Sequence, residues 1–151
     1  MDHKLEQGLN SFRQGNYKQC IELLNEFLAF NAFEPKALYA RGISHRKLDN
    51  HEKALEDIDR AVNLVPADPE LLSERGVSFF HMNKMEESLD DLKKAMNLDS
   101  KNPYRYSSLA FVQAKIGLVL DAIENYETAI ELDPEDAIAV NNLGLLEEQV
   151  G

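Results

Sequence analysis

Three kinds of side chain in this 151-residue sequence could carry chemistry: a histidine pair, runs of carboxylates, and a lone thiol. His45 and His51 could share a metal ion. On one helix that needs a spacing of three or four residues. These two are six apart and fall on different predicted helices, so they read as two solvated histidines. Carboxylates cluster as Glu52, Glu56, Asp57 and Asp59, as Glu86, Glu87, Asp90 and Asp91, and as Asp121, Glu124, Glu127 and Glu131. Such groups could act as acid and base or bind calcium. A catalytic pair needs unequal, desolvated surroundings. These recur at similar register along the chain, as a solvated outer face would. Asp133-Pro134-Glu135-Asp136 lacks the glycine turn and distant bidentate glutamate of a calcium loop. Cys20 is expected to behave as a small buried apolar residue, because a reactive thiolate needs exposure and nearby positive charge. One cysteine also excludes an internal disulfide. The sequence contains no P-loop, GxGxxG, HExxH, G-x-S-x-G or CxxC motif. The residues thus point to no catalytic centre, no metal and no cofactor, and the chain reads as a non-enzyme.

Charge narrows the partners. Sixteen basic residues stand against 27 acidic ones, a formal net charge of -11. Nucleic acid and anionic membrane both call for a basic footprint, so neither is expected as a partner. No apolar run approaches the roughly 18 residues that span a bilayer. Met1-Asp2-His3-Lys4 contains no apolar signal core, so no secretory signal is expected. With the single thiol, this points to the cytoplasm.

The elements that position these residues follow from a repeat. Numbered in blocks of 34 from Met1, all seven glycines fall at position 8 or 15 and all five prolines at position 1 or 32. Position 8 reads Gly8, Gly42, Gly76, Ala110 and Gly144. Position 20 reads Cys20, Ala54, Ser88 and Ala122. Position 24 reads Leu24, Ile58, Leu92 and Tyr126, and position 27 reads Phe27, Ala61, Ala95 and Ala129. Each block holds two apolar patterns of helical period separated by a short polar break. The expectation is one domain over 1–151, with repeats 1–34, 35–68, 69–102 and 103–136 and a C-terminal helix over 137–151. Helices A and B of each repeat should run about 13 residues each.

Each punctuating residue has a mechanism. Pro35, Pro69 and Pro103 suit a first helical turn, where no N–H is needed. Asp68 and Asn102 precede two of them as N-caps. Gly15, Asp49, Asn83 and Gly117 mark the A–B turn, which needs a left-handed backbone. Pro66 and Pro134 stop helix B. Small residues at positions 8 and 20 should let the two helices approach, with larger ones at 7, 24 and 28 filling the seam.

These residues resemble the tetratricopeptide repeat, a 34-residue helix–turn–helix with the pattern W-x2-L-G-x2-Y, A-x3-F and P. The best match runs from Ala122 and Tyr126 to Ala129 and Pro134. The tryptophan position holds Lys4, Leu38, Leu72, Tyr106 and Val140 instead. The first repeat departs further, with Phe27 and Ala32. The resemblance implies an all-α, right-handed solenoid of four antiparallel helix hairpins plus one extra helix.

The resemblance also implies a function: a non-catalytic protein–protein interaction module or scaffold that holds a peptide or helix of a partner in a concave groove lined by helix A. Positions 2, 5, 9, 12 and 13 would face that groove. Phe12, Arg13, Tyr39, Ile43, Arg46, Val77, Phe80, Tyr104 and Phe111 are the expected contacts. Apolar groups with Lys36, Lys47 and Lys115 nearby suit an amphipathic or extended peptide carrying acidic residues. Some members of the family bind chaperone tails through a carboxylate clamp. Its positions read Leu5, Leu9, Ala40, Glu70 and Glu74 here, or Tyr39, Ile43, Glu74, Tyr104 and Ser108 one repeat later, so that clamp is not expected. The helix over 137–151 is apolar on more than one face, which is expected of a piece of a longer array. Leu145, Leu146 and Val150 offer the alternative of a module that self-associates into a homo-oligomer through this end.

Overall fold

The structure is a computed structural model. It describes residues 2–151, with side chains from residue 3 onward; Met1, the first position of the first repeat, lies outside the described residues. Among these residues the regular structure consists of helices α1 (Asp2–Arg13), α2 (Tyr17–Phe30), α3 (Pro35–Lys47), α4 (His51–Leu64), α5 (Pro69–His81), α6 (Met85–Leu98), α7 (Pro103–Lys115), α8 (Val119–Leu132) and α9 (Ala137–Val150). The odd-numbered helices are helix A of each repeat and the even-numbered ones helix B. Each packs on the next in chain order, and α1 also touches α3, as α5 touches α7. The fold is an all-α helical-repeat solenoid.

The 34-residue spacing reappears as hydrogen bonding. Position 15 is left-handed in every repeat, with φ of 78° at Gly15, 63° at Asp49, 60° at Asn83 and 89° at Gly117. The following N–H then reaches back to the carbonyl of position 11: Asn16 to Ser11 at 2.8 Å, Asn50 to His45 at 2.8 Å, Lys84 to Phe79 at 2.9 Å and Leu118 to Gln113 at 2.8 Å. This bond closes helix A and turns the chain toward helix B. Asp68 and Asn102 cap α5 and α7, and Glu34 and Asp136 do the same for α3 and α9. Helix B ends two residues before Pro66 and Pro134, yet it ends at the same place, Phe30 and Leu98, where no proline follows. In all four repeats the position-31 N–H bonds to the carbonyl of position 27. Proline reinforces that stop without being its sole cause.

Glycine at position 8 sets the closeness of the A–B seam. A Cβ on Gly42 would stand 2.8 Å from Ile58 Cδ1, and one on Gly76 would stand 2.8 Å from Leu92 Cγ. Gly8 abuts Leu24 in the same way. Leu24, Ile58 and Leu92 are thereby buried, each contributing about 1.5–3 kcal/mol.

Position 7 departs from simple apolar filling. Arg41 makes a two-pronged pair with Asp57, at 2.8 Å for both bonds, and Arg75 does so with Asp91 at 2.7 and 2.9 Å. Each arginine also reaches back one repeat: Arg41 Nη1 donates to Asn25 at 2.9 Å, and Arg75 Nη1 to Asp59 at 3.0 Å. Asp57 and Asp91 are buried. They correct the expectation that all the recurring carboxylates are solvated, because a fixed guanidinium replaces their water.

The apolar interior forms three clusters along the stack. The largest joins the first three hairpins through residues such as Leu24, Leu38, Ile58 and Leu72. Leu92, Leu109 and Val112 make a second, between α6 and α7. Ala110, Ala122, Tyr126, Ala139 and Leu146 make the third, under α9.

Candidate functional site: a divided groove on the odd-numbered helices

Helix A side chains line a groove in two halves. The first, about 500 Å³, lies across α1, α3 and α5, with Leu9, Phe12, Arg13, Lys36 and Tyr39 among its walls. Phe12 meets Tyr39 edge-on, ring centres 6.0 Å apart. The second half, about 360 Å³, lies across α5, α7 and α9, with Val77, Phe80, Tyr104, Phe111 and Ile138. Phe80 and Phe111 meet edge-on at 5.7 Å, and Lys115 Nζ stands 5.4 Å from the centre of the Phe111 ring.

Helix α5 gives its first turn to one half and its last turn to the other, and charge gathers along it. Tyr39 Oη donates to Glu70 Oε1 at 3.2 Å. Arg105 Nη2 donates to Glu70 Oε2 at 2.7 Å, and its Nε to Asp99 Oδ2 at 3.0 Å. Between the two turns, Glu74 is paired with Arg46. Burial pushes the Glu74 carboxyl upward and Arg46 pulls it back. Burial, aided by Glu74 and Glu70, also raises the Tyr39 phenol. The charge of Arg46 is therefore spent inside the protein.

The expected contacts divide by exposure. Ile43 is only 6% exposed and belongs to the core with Leu24 and Ile58. It is corrected from a groove contact to a packing residue. Phe12, Tyr39, Arg46, Val77 and Phe80 are half-buried, and Arg13 is exposed. Tyr104 is 63% and Phe111 42% exposed. Ile138, which the position-2 register puts on the same face, is 74% exposed beside them. At the C-terminal end Leu145 and Val150 are exposed, but Leu146 is 5% exposed and packs with Tyr126. That corrects Leu146 as a self-association residue.

The histidines also differ from the sequence reading. His45 is buried, and burial lowers its affinity for a proton. His51 stacks on His81, ring centres 4.3 Å apart and 16° from parallel. Burial, then His51 and Arg46, lower the proton affinity of His81. Neither His45 nor His51 is simply solvated. Thirty positions separate the stacked rings, so no helical spacing signals the pair. Cys20 is fully buried, and burial raises its thiol. Among the described residues, no group of three or more His, Cys, Asp or Glu is placed to hold a metal ion. No helix among them is long and apolar enough to cross a membrane.

Stacked two-helix hairpins with a side-chain-lined groove define an α-helical repeat protein of the interaction-module class. Residues 35–68 match the model of the tetratricopeptide repeat and residues 121–151 a second model described as TPR repeat. These two stretches of the chain match tetratricopeptide-repeat models. The chain is similar to MamA (residue 41 to the end) from Desulfovibrio magneticus RS-1, at 19% identity and TM-score 0.87, covering 98% of this chain and 84% of that one. The first TPR of Spaghetti (RPAP3), solved bound to the HSP90 peptide SRMEEVD, is 21% identical with TM-score 0.72, covering 77% of this chain and 92% of that one. The APC/C hetero-tetramer Cut9–Hcn1 gives 17% identity and TM-score 0.87, covering 95% of this chain and 29% of that one. These likenesses establish a shared fold. No curated protein sequence matches the chain.

Proposed function

We propose that this protein is a non-catalytic capture module that holds an extended or amphipathic segment of a partner protein in the groove of its odd-numbered helices. Apolar anchors of that segment would enter the half built from Val77, Phe80, Tyr104 and Phe111. Acidic residues would reach Arg13 and Lys36. The observation that carries this reading is the joint exposure of Tyr104 and Phe111 in one pocket, since apolar surface of that kind is costly to leave in water. The peptide in the Spaghetti structure supports a peptide as the class of ligand. Its particular ligand is not carried over, because Leu5, Leu9, Ala40, Glu70 and Glu74 cannot form a carboxylate clamp.

A peptide library panned on the wild-type protein, then tested against Tyr104→Ala/Phe111→Ala, examines this. Selected peptides should bind the double variant at least roughly tenfold more weakly, about 1.4 kcal/mol, while its circular dichroism stays unchanged. Equal binding to both proteins would remove the groove from the reading.

A second reading, self-association through α9, draws support from the exposure of Leu145 and Val150. The net charge of -11 on each copy opposes it. A mass in light scattering that stays monomeric at every concentration would end it.

A further inference from the structure

A cleft of about 280 Å³ lies between α2, α3 and α4 and shares no wall with either half of the groove. Leu28 and Leu38 are its buried apolar walls, and Ala29 and Ala32 its exposed ones. Its polar walls are Asn25, Arg41 and Arg60, with no carboxylate among them. Arg41 uses three of its five N–H donors, two on Asp57 and one on Asn25. Arg60 is exposed and makes no ion pair among the described residues, not even with Glu56 one turn before it.

The next junction of hairpins shows the charge that this place otherwise holds. There the four corresponding positions are Arg75, Asp91, Asp59 and Lys94, two cations with two carboxylates. Asp59 accepts from Arg75 Nη1 at 3.0 Å. In the first junction the four are Arg41, Asp57, Asn25 and Arg60, so an amide replaces one carboxylate and one positive charge is left over. Phe30 borders the cleft, because Ala29 also walls the hollow that holds that ring. Phe30 is 79% exposed, and Leu64, Leu98 and Leu132 at the same position stay exposed inside the stack. Its exposure therefore belongs to the position in the repeat.

We propose that this cleft binds a single glutamate or aspartate side chain of a partner protein, whose neighbouring apolar residue lies on Phe30. The carboxylate supplies the charge that Asp59 supplies one junction later. Arg60 and the unused N–H groups of Arg41 receive it. One acidic residue is specified because the surplus is one charge, and a longer acidic run would be repelled by the net charge of -11. That wider field is screened beyond about 8 Å at physiological salt, so the two guanidinium groups decide the contact. The site does not depend on what the groove holds.

The test is nuclear magnetic resonance on the full chain, reading the Nε–H signals of Arg41 and Arg60. The probe is acetyl-Phe-Glu-amide, with acetyl-Phe-Gln-amide as its neutral counterpart. The glutamate probe should shift both signals saturably, and the glutamine probe should not. Asn25→Asp restores the carboxylate of the next junction and should weaken binding at least roughly fivefold, as should Arg60→Gln read at Arg41. Both positions are exposed, so both variants should fold, and their melting curves check that. Tyr104→Ala/Phe111→Ala should leave this binding unchanged, and its loss there would overturn the proposal by moving the probe to the groove. No saturable shift at tens of millimolar probe overturns it, as does an equal response to the glutamine probe or an unchanged affinity in Asn25→Asp. Butyrate binding as tightly as the probe would overturn it in favour of a free small carboxylate. Inorganic phosphate binding more tightly would overturn it in favour of a phosphorylated ligand.

Discussion

Arg75 and Asp91 lie 16 positions apart, on facing helices of one hairpin, and meet through two parallel hydrogen bonds at 2.7 and 2.9 Å. Arg41 and Asp57 repeat the arrangement one turn of the solenoid earlier. Asp91 raises the guanidinium pKa of Arg75 against the opposing effect of burial. In the fourth hairpin the same two positions are Leu109 and Asn125, so the fold accepts either a full ion pair or none.

Arg75→Leu alone leaves Asp91 buried without its partner and should cost about 3 kcal/mol. Arg75→Leu with Asp91→Asn, which copies the fourth hairpin, should recover more than half of the loss. Urea unfolding followed by circular dichroism measures both. A double variant no better than the single would show that the carboxylate is not what makes the single variant weak.

The position-8 glycines should respond in opposite directions. Gly76→Ala places a methyl 2.8 Å from Leu92 Cγ and 3.2 Å from the Ser88 carbonyl oxygen, and overpacking of this kind costs about 1–3 kcal/mol. Gly144→Ala meets nothing and gains helix propensity, worth about 0.5–1 kcal/mol. Melting temperatures of the two variants should therefore fall on opposite sides of wild type.

Acid should weaken the fold through histidines that bind a proton less readily in the folded chain. His81, facing His51, Arg46 and Asp49, binds a proton less readily folded than unfolded, where its value is 6.5. The unfolded chain then takes up more protons below that value, so this stability is present above pH 6.5 and is lost as pH falls through the folded value. The wild-type melting temperature should drop between about pH 7 and pH 5.5. In His81→Gln that drop should be smaller, and an identical drop would exclude His81 as a source.

Cys20 should resist thiol reagents until the chain opens. It is fully buried, and burial disfavours its thiolate, with Ser44 opposing in part. Reaction with a disulfide reagent at neutral pH should be roughly a thousandfold slower than in urea. A comparable rate in both would mean that the seam between α2 and its neighbours opens readily.

Much of this fold is legible in the amino-acid order because its signals are local. A left-handed residue at position 15 and a proline at position 1 act within one turn of chain, and all nine helices of the described residues lie where the register puts them. What was missed depends on distance across the stack. Asp57 and Asp91 look like members of a solvated stripe until Arg41 and Arg75, on another helix, are brought against them. His51 and His81 meet only because α4 and α5 fold together. The groove shows the same limit. Position 9 is Ile43, buried, in the second repeat and Phe111, exposed, in the fourth. Exposure there is set by how neighbouring helices A close on each other, and that is written in no single repeat.

The three-part interior has a mechanical consequence. Leu24 and Tyr126 share no cluster, so no central mass ties one end of the molecule to the other. Pulled or warmed, such an array gives way hairpin by hairpin from a weak edge, since each repeat depends chiefly on its neighbours. Helix α9 packs chiefly on α8. Amide exchange there should run ahead of exchange in α3 and α4, where the deepest packing lies.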